Sequence, residues 1–244
     1  MWTLFLAQAE AAAPLEQKLV WDLSVKGTPV GKRNLTIRYL ESDSGGTLRM
    51  LESYTEINGT LGPMKVRWVQ RMTASIDPRE PAAFTSVVDQ NGSVLQVQGR
   101  WTPANWVVIS STAAGNPRET AMPLSRIDLS TADLMDPYSR LPLSYFDQAR
   151  ILSAETGEVL VGPIEKLGVS ELTVGGQLVQ VTGYAWTSSE GRSEFYYSAD
   201  GFLVKYETQL VGINLQAVLH DPPPGGVDDF PVAVGRPKIE ASDL

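Results

Sequence analysis

No cysteine occurs in the 244-residue chain, and histidine occurs once, as His220. The first absence removes disulfides, thiolate nucleophiles, zinc–thiolate sites and iron–sulfur clusters together. The second leaves a histidine-based metal site dependent on carboxylates for every other ligand, and no clustering of them in the sequence supplies one. His220 ends a strand-like run beside Asp221. Neighbours in a strand point to opposite faces, so this pair is expected as a solvent-accessible strand end rather than a catalytic fragment. Long apolar runs are missing too. Beyond a short one near the N-terminus nothing approaches the ~20 residues of a membrane-spanning helix, and a transmembrane protein is not expected. Positive charge is scarce: 20 Lys and Arg stand against 28 Asp and Glu, for a formal net charge of −8. Such a chain has no general attraction for phosphate backbones. Its best basic stripe, Lys65, Arg67 and Arg71, reads as the solvated face of one strand, so no nucleic-acid partner is expected.

Catalytic signatures are equally thin. No Gly-x-Ser-x-Gly elbow occurs. The string Gly27-Thr28-Pro29-Val30-Gly31-Lys32 differs from a phosphate loop in its glycine spacing, and Arg33 stands where Ser or Thr would hold magnesium. Leu35, Ile37 and Tyr39 then alternate as a strand, whereas a phosphate loop must open a helix. A hairpin turn is the expectation. Glycoside hydrolysis needs only two carboxylates, and Glu190, Glu194, Asp200 and Asp228-Asp229 are the candidates. Glu190 and Glu194 flank a turn, Asp200 sits in the next one and Asp228-Asp229 lie in the tail. Turns favour acidic residues for backbone reasons, and no pair of these carboxylates stands in an aromatic-rich stretch of the kind a sugar site uses. No catalytic residue, metal or cofactor is assigned.

What the chain does have is alternation. Leu19, Trp21, Leu23 and Val25 recur with the period of two of a half-buried strand, and similar runs follow at roughly ten-residue spacing. Turn dipeptides separate them: Gly45-Gly46, Asn58-Gly59, Asn91-Gly92, Gly175-Gly176 and Asp200-Gly201. About a dozen strands joined by tight turns predict an all-β fold, either a sandwich, a barrel or a large curved antiparallel sheet. Helix signals are confined to the middle, over Ser130–Met135 and Pro142–Arg150, and predict one or two short helices acting as lids or plugs. Residues 17–220 are expected as one antiparallel β domain. Residues 1–16 form an N-terminal segment whose apolar stretch and alanines look like a truncated secretory signal peptide. Residues 221–244, rich in Pro, Gly and Asp, read as a linker and extended tail.

Aromatic side chains are the remaining resource. Packed core accounts for most of them in any β protein, but strand alternation also allows Trp21, Trp68, Tyr184, Trp186, Phe195 and Tyr197 to line a cavity between the sheet and the short helices. These six are the candidate ligand-binding residues.

Two stretches carry a resemblance. Val20-Trp21-Asp22-Leu23-Ser24-Val25-Lys26-Gly27-Thr28-Pro29-Val30-Gly31 resembles the first hairpin of bacterial envelope proteins of the DUF3108 and DUF6134 type. Ser193-Glu194-Phe195-Tyr196-Tyr197-Ser198-Ala199-Asp200-Gly201-Phe202-Leu203-Val204-Lys205-Tyr206 resembles their last hairpin, with Gly212-Ile213-Asn214-Leu215 closing it. Asp136-Pro137-Tyr138-Ser139 is similar to the D-P-x-S start of their short helix. The resemblance implies a fold related to the periplasmic lipoprotein carriers: an unclosed β-barrel whose concave face is plugged by short helices and holds acyl chains. It implies a non-catalytic periplasmic or cell-envelope protein with a lipid or other apolar small molecule as its partner. Two readings stand beside it: an envelope assembly factor that contacts a protein partner and holds no small ligand, and a carboxylate-based carbohydrate hydrolase.

Overall fold

The alternation read from the sequence is realised in a computed structural model that describes residues 16–41, 47–61, 64–76, 83–113, 115–137, 142–210 and 212–223. The N-terminal segment, most of the C-terminal tail and Tyr138-Ser139 lie outside the described residues. A first meander runs through β1 (Glu16–Val25), β2 (Thr28–Glu41), β3 (Thr47–Leu61), β4 (Met64–Ile76), β5 (Ala83–Gln90), β6 (Ser93–Trp101), β7 (Asn105–Thr112) and β8 (Arg118–Pro123). A second comprises β9 (Leu129–Ser130), β10 (Gln148–Leu152), β11 (Val159–Val174), β12 (Gln177–Ser188), β13 (Gly191–Ser198), β14 (Leu203–Leu210) and β15 (Ile213–Leu219). Both belong to one curved, unclosed 15-stranded sheet, in the order β8 to β1, then β15 down to β9. The two meanders therefore meet at a central seam, where Trp21 pairs with Leu219 and Leu23 with Ala217. The pairing is antiparallel throughout except between β9 and β10.

Each strand sends alternate side chains to the concave face. In β1, Leu19, Trp21, Leu23 and Val25 are buried while Lys18 and Asp22 face water. Register carries that parity from strand to strand: Trp21 lies beside Arg33, Arg33 beside Thr55, Thr55 beside Gln70 and Gln70 beside Val88. The turns follow their residues. Lys26 and Gly27 have φ of 49° and 78°, and Asn91 and Gly92 have 52° and 89°. These are the left-handed pairs of a two-residue hairpin, which Asn and Gly adopt at least cost.

Two sequence expectations need correction. Asn58-Gly59 is not a turn: β3 continues to Leu61, with Asn58 opposite Arg67 and Gly59 opposite Val66. Ladder hydrogen bonds outweigh the local preference of the dipeptide. Nor is there a helix through Pro142–Arg150. A 3-10 turn at Pro142–Tyr145 stops, and Gln148–Leu152 becomes β10, paired with Val159–Pro163. Ala149, Ile151 and Leu152 are fully buried there, so tertiary packing decides. Ser130–Met135, expected as a short helical segment, forms a 3-10 turn at Asp133–Met135 that ends at Asp136.

These short segments plug the concave face, and polar ends of aromatic residues hold them. The Tyr197 hydroxyl donates to the Leu134 carbonyl at 3.1 Å, and Trp186 Nε1 to the Ala149 carbonyl at 3.4 Å. Arg49 on β3 makes an ion pair with Asp136 at 2.8 Å, with both side chains buried.

Candidate functional site

Above the plug the described residues leave the barrel unfilled. A cavity of about 780 Å³ remains between the two wings of the sheet, within the range of small-molecule sites. Its wall is largely apolar, with Met72, Val88 and Leu95 on one wing, Leu210 and Leu215 on the other, and Leu134 from the plug below. Of the six aromatic candidates, Trp68, Trp186 and Phe195 line this space. Trp21, Tyr184 and Tyr197 sit outside it in packed core. Trp21 is fully buried and donates Nε1–H to the Leu203 carbonyl at 3.0 Å. Tyr184 and Tyr197 pack edge to face, with ring centroids 6.4 Å apart. Burial raises the phenol pKa of both; for Tyr184 a hydrogen bond with Ser144 of the plug acts the other way.

The strand parity that builds the apolar wall also places a polar row across the cavity. Arg33 shares its face of β2 with Leu35, Ile37 and Tyr39, so the alternation that buries them turns the guanidinium inward. Its Nε donates to Thr55 Oγ1 at 2.7 Å and its Nη2 to Gln70 Oε1 at 3.2 Å. Gln70, almost wholly buried, donates through Nε2 to Ser86 Oγ at 3.1 Å and to Glu155 Oε1 at 3.2 Å. The other Glu155 oxygen accepts from the hydroxyls of Ser153 at 3.1 Å and Thr131 at 3.4 Å. The guanidinium lies 5.3 Å from the centre of the Tyr206 ring, a cation–π contact. Burial pushes the Tyr206 phenol above its ordinary range, opposed by the Arg33 charge. Sequence reasoning missed this row, although a charge in register with apolar residues was its visible signal.

Among the described residues the candidate hydrolase carboxylates Glu190, Glu194 and Asp200 do not converge. Glu190 lines the cavity mouth, where partial desolvation and then the charges of Glu158 and Glu155 raise its pKa. Glu194 is on the outer face, accepting from Arg192 Nε at 3.0 Å and the Tyr196 hydroxyl at 2.7 Å. The hydrogen bond with Glu194, after burial, helps push Tyr196 up to about 12. Asp200 sits in the turn after β13, and Asp228-Asp229 lie outside the described residues. Among the described residues no three acidic or histidine side chains group to hold a metal. His220 is exposed, with Nδ1 2.6 Å from Asp22 Oδ2. In the basic stripe, Arg67 pairs with Asp89 at 2.6 Å and Arg71 lies over the Tyr54 ring. No described helix is long and apolar enough to cross a membrane.

The family description of DUF6134, a domain of unknown function, matches residues 21–220. Among solved structures, the crystal structure of a beta-barrel-like protein of the domain of unknown function DUF1849 from Brucella abortus is similar. Its TM-score is 0.54 at 10% identity, covering 85% of this chain and 96% of that one. At such identity the likeness speaks to the fold alone, and it agrees with an unclosed barrel. No curated protein matches the chain in sequence.

Proposed function

The chain belongs to the DUF6134 family, and on that footing we propose that it is a non-catalytic envelope protein holding a lipid or other apolar molecule inside its unclosed barrel. One observation carries the reading: a cavity of about 780 Å³, which the described residues leave above a plugged core, with a continuous set of apolar and aromatic side chains in its wall beside polar ones. A concave apolar site with few polar groups is the usual form of a small-molecule pocket. Kinship with DUF3108 and with the periplasmic lipoprotein carriers, and residence in the periplasm, belong to the same proposal and rest on the two hairpin resemblances and the N-terminal segment. The test is native mass spectrometry of protein secreted with a full signal peptide and purified without detergent, followed by organic extraction. A stoichiometric acyl-chain or isoprenoid mass is expected. An empty protein that also refuses added lipid would remove the carrier function.

A second reading, contact with a protein partner, has its own observation. The hairpin β11–β12 exposes Val169 and Leu178 at 64% and 71%. Two large apolar side chains exposed on the same hairpin, on either side of the Glu171–Gln180 pair, suit a protein contact.

A further inference from the structure

The polar row says what kind of head the ligand carries, an inference that rests on the cavity's being a binding site. Two arginines project inward from neighbouring strands, and the barrel treats them differently. Arg49 is closed off by the carboxylate of Asp136. Arg33 has only neutral partners among the described residues: the Thr55 hydroxyl, the Gln70 amide oxygen and the Tyr206 ring. An inward-facing charge with no carboxylate bonded directly to it is costly, and Glu155 is reached only through Gln70. Two acceptors hold the guanidinium by one edge, and Nη1 makes no hydrogen bond among the described residues. The Tyr206 hydroxyl, also on the cavity wall, makes no hydrogen bond among the described residues. A fixed guanidinium fork and a phenol side by side match a planar anion. Glu155 and Glu190 line the same cavity, so a second negative charge on the head would be repelled.

We propose that the ligand is an amphiphile with a single carboxylate head, received by Arg33 and Tyr206 while its apolar chain lies along Trp68, Met72, Phe195 and Leu215. The probes are 11-(dansylamino)undecanoic acid and its methyl ester, which share chain and fluorophore and differ in that the ester's head is neutral and carries one added methyl group. They are titrated by dansyl fluorescence into the wild type, Arg33→Met, Arg33→Lys and Tyr206→Phe. The wild type is expected to bind the acid at least about tenfold more tightly than the ester, the scale of a hydrogen bond to a charged group. Arg33→Met should bring the acid down to the level of the ester. Arg33→Lys, which keeps the charge and loses the fork, should keep a reduced preference, and Tyr206→Phe should weaken the acid more than the ester. Equal binding of acid and ester by the wild type overturns the carboxylate assignment and leaves the apolar cavity standing; this comparison needs no variant to fold. A full preference in Arg33→Met or Arg33→Lys overturns the role of the fork. If neither probe enters the wild type, the binding-site reading falls and this inference with it.

Discussion

The Asp136→Asn substitution removes one half of an ion pair that fixes the plug to the sheet. Asp136 closes the 3-10 turn at Asp133–Met135, and its carboxylate meets the Arg49 guanidinium at 2.8 Å, with the two side chains 1% and 4% exposed. Opposite unit charges at that distance attract by about 6 kcal/mol at an effective permittivity of about 20. Asn retains an acceptor, so only part of this is lost, but a buried guanidinium then loses the Asp136 charge; breaking such a pair costs about 3–5 kcal/mol. Taking about 3 kcal/mol, a domain of this size should melt about 6–12 °C lower. Urea titration followed by tryptophan fluorescence, with a thermal melt by circular dichroism, reads both numbers. The double variant Arg49→Met with Asp136→Leu exchanges the pair for apolar contact, and should recover more than half of the loss, since the stranded charge is gone. An Asp136→Asn protein within about 0.5 kcal/mol of the wild type would refute the claim that charge pairing holds the plug, as would a double variant no more stable than the single one.

Trp68→Asp places a charge in the cavity wall, and should weaken uptake of a neutral apolar fluorophore at least about tenfold; unchanged uptake by a folded variant would mean that Trp68 does not line the occupied space. Gly31→Ala would drive a methyl group into the Glu56 carbonyl oxygen, an immovable backbone atom, and should cost about 3 kcal/mol or more in urea. Gly59→Ala meets only the Val30 side chain at 3.4 Å, and should stay within about 0.5 kcal/mol of wild type. Glu190 has a raised pKa in the folded state, so its ionisation opposes folding, and that destabilisation grows as pH rises above the ordinary value of 4.5. Glu190→Gln should therefore be more stable than wild type at pH 7 and equal to it below pH ~4; the reverse order in paired melts would contradict the carboxylate environment described for the cavity mouth.

The parts of the fold that could be read in advance are those where local chemistry and packing agree. Leu19, Trp21, Leu23 and Val25 alternate in the sequence because β1 is buried on one face only, and Asn91-Gly92 turns because both residues tolerate positive φ. Residues 118–123 resisted reading because β8 is an edge strand, exposed at nearly every position, and its pairing with β7 leaves no apolar period. Gln148–Leu152 misled because the run begins behind a proline and a serine that suit a helix start, while its structure is dictated by β11. For the site, large aromatics were visible but not their depth: Trp68 and Tyr184 both obey the alternation, yet only the position of the plug decides which one faces open space. Arg33 went unnoticed for the opposite reason. It stands where a phosphate loop would carry Ser or Thr, which draws the eye to the turn, while its parity with Leu35 and Ile37 places a cation on the apolar face.

The seam between β1 and β15 has a consequence for how the molecule comes into being. Every other antiparallel neighbour in the two meanders follows closely in sequence, so those hairpins can zip as they emerge from the ribosome. The seam joins the first strand of the domain to the last, and nothing can close it until β15 has been synthesised. Loop closure over so long a chain costs only a few kcal/mol more than over a short one, but the delay is kinetic. Through it, Trp21, Leu23 and their row stand open to water, on a half-sheet with an unpaired central edge. Nascent chains in this state pair readily with one another, so the interval before β15 arrives is when the protein most needs a chaperone, and a truncation that removes β15 should be recovered as aggregate.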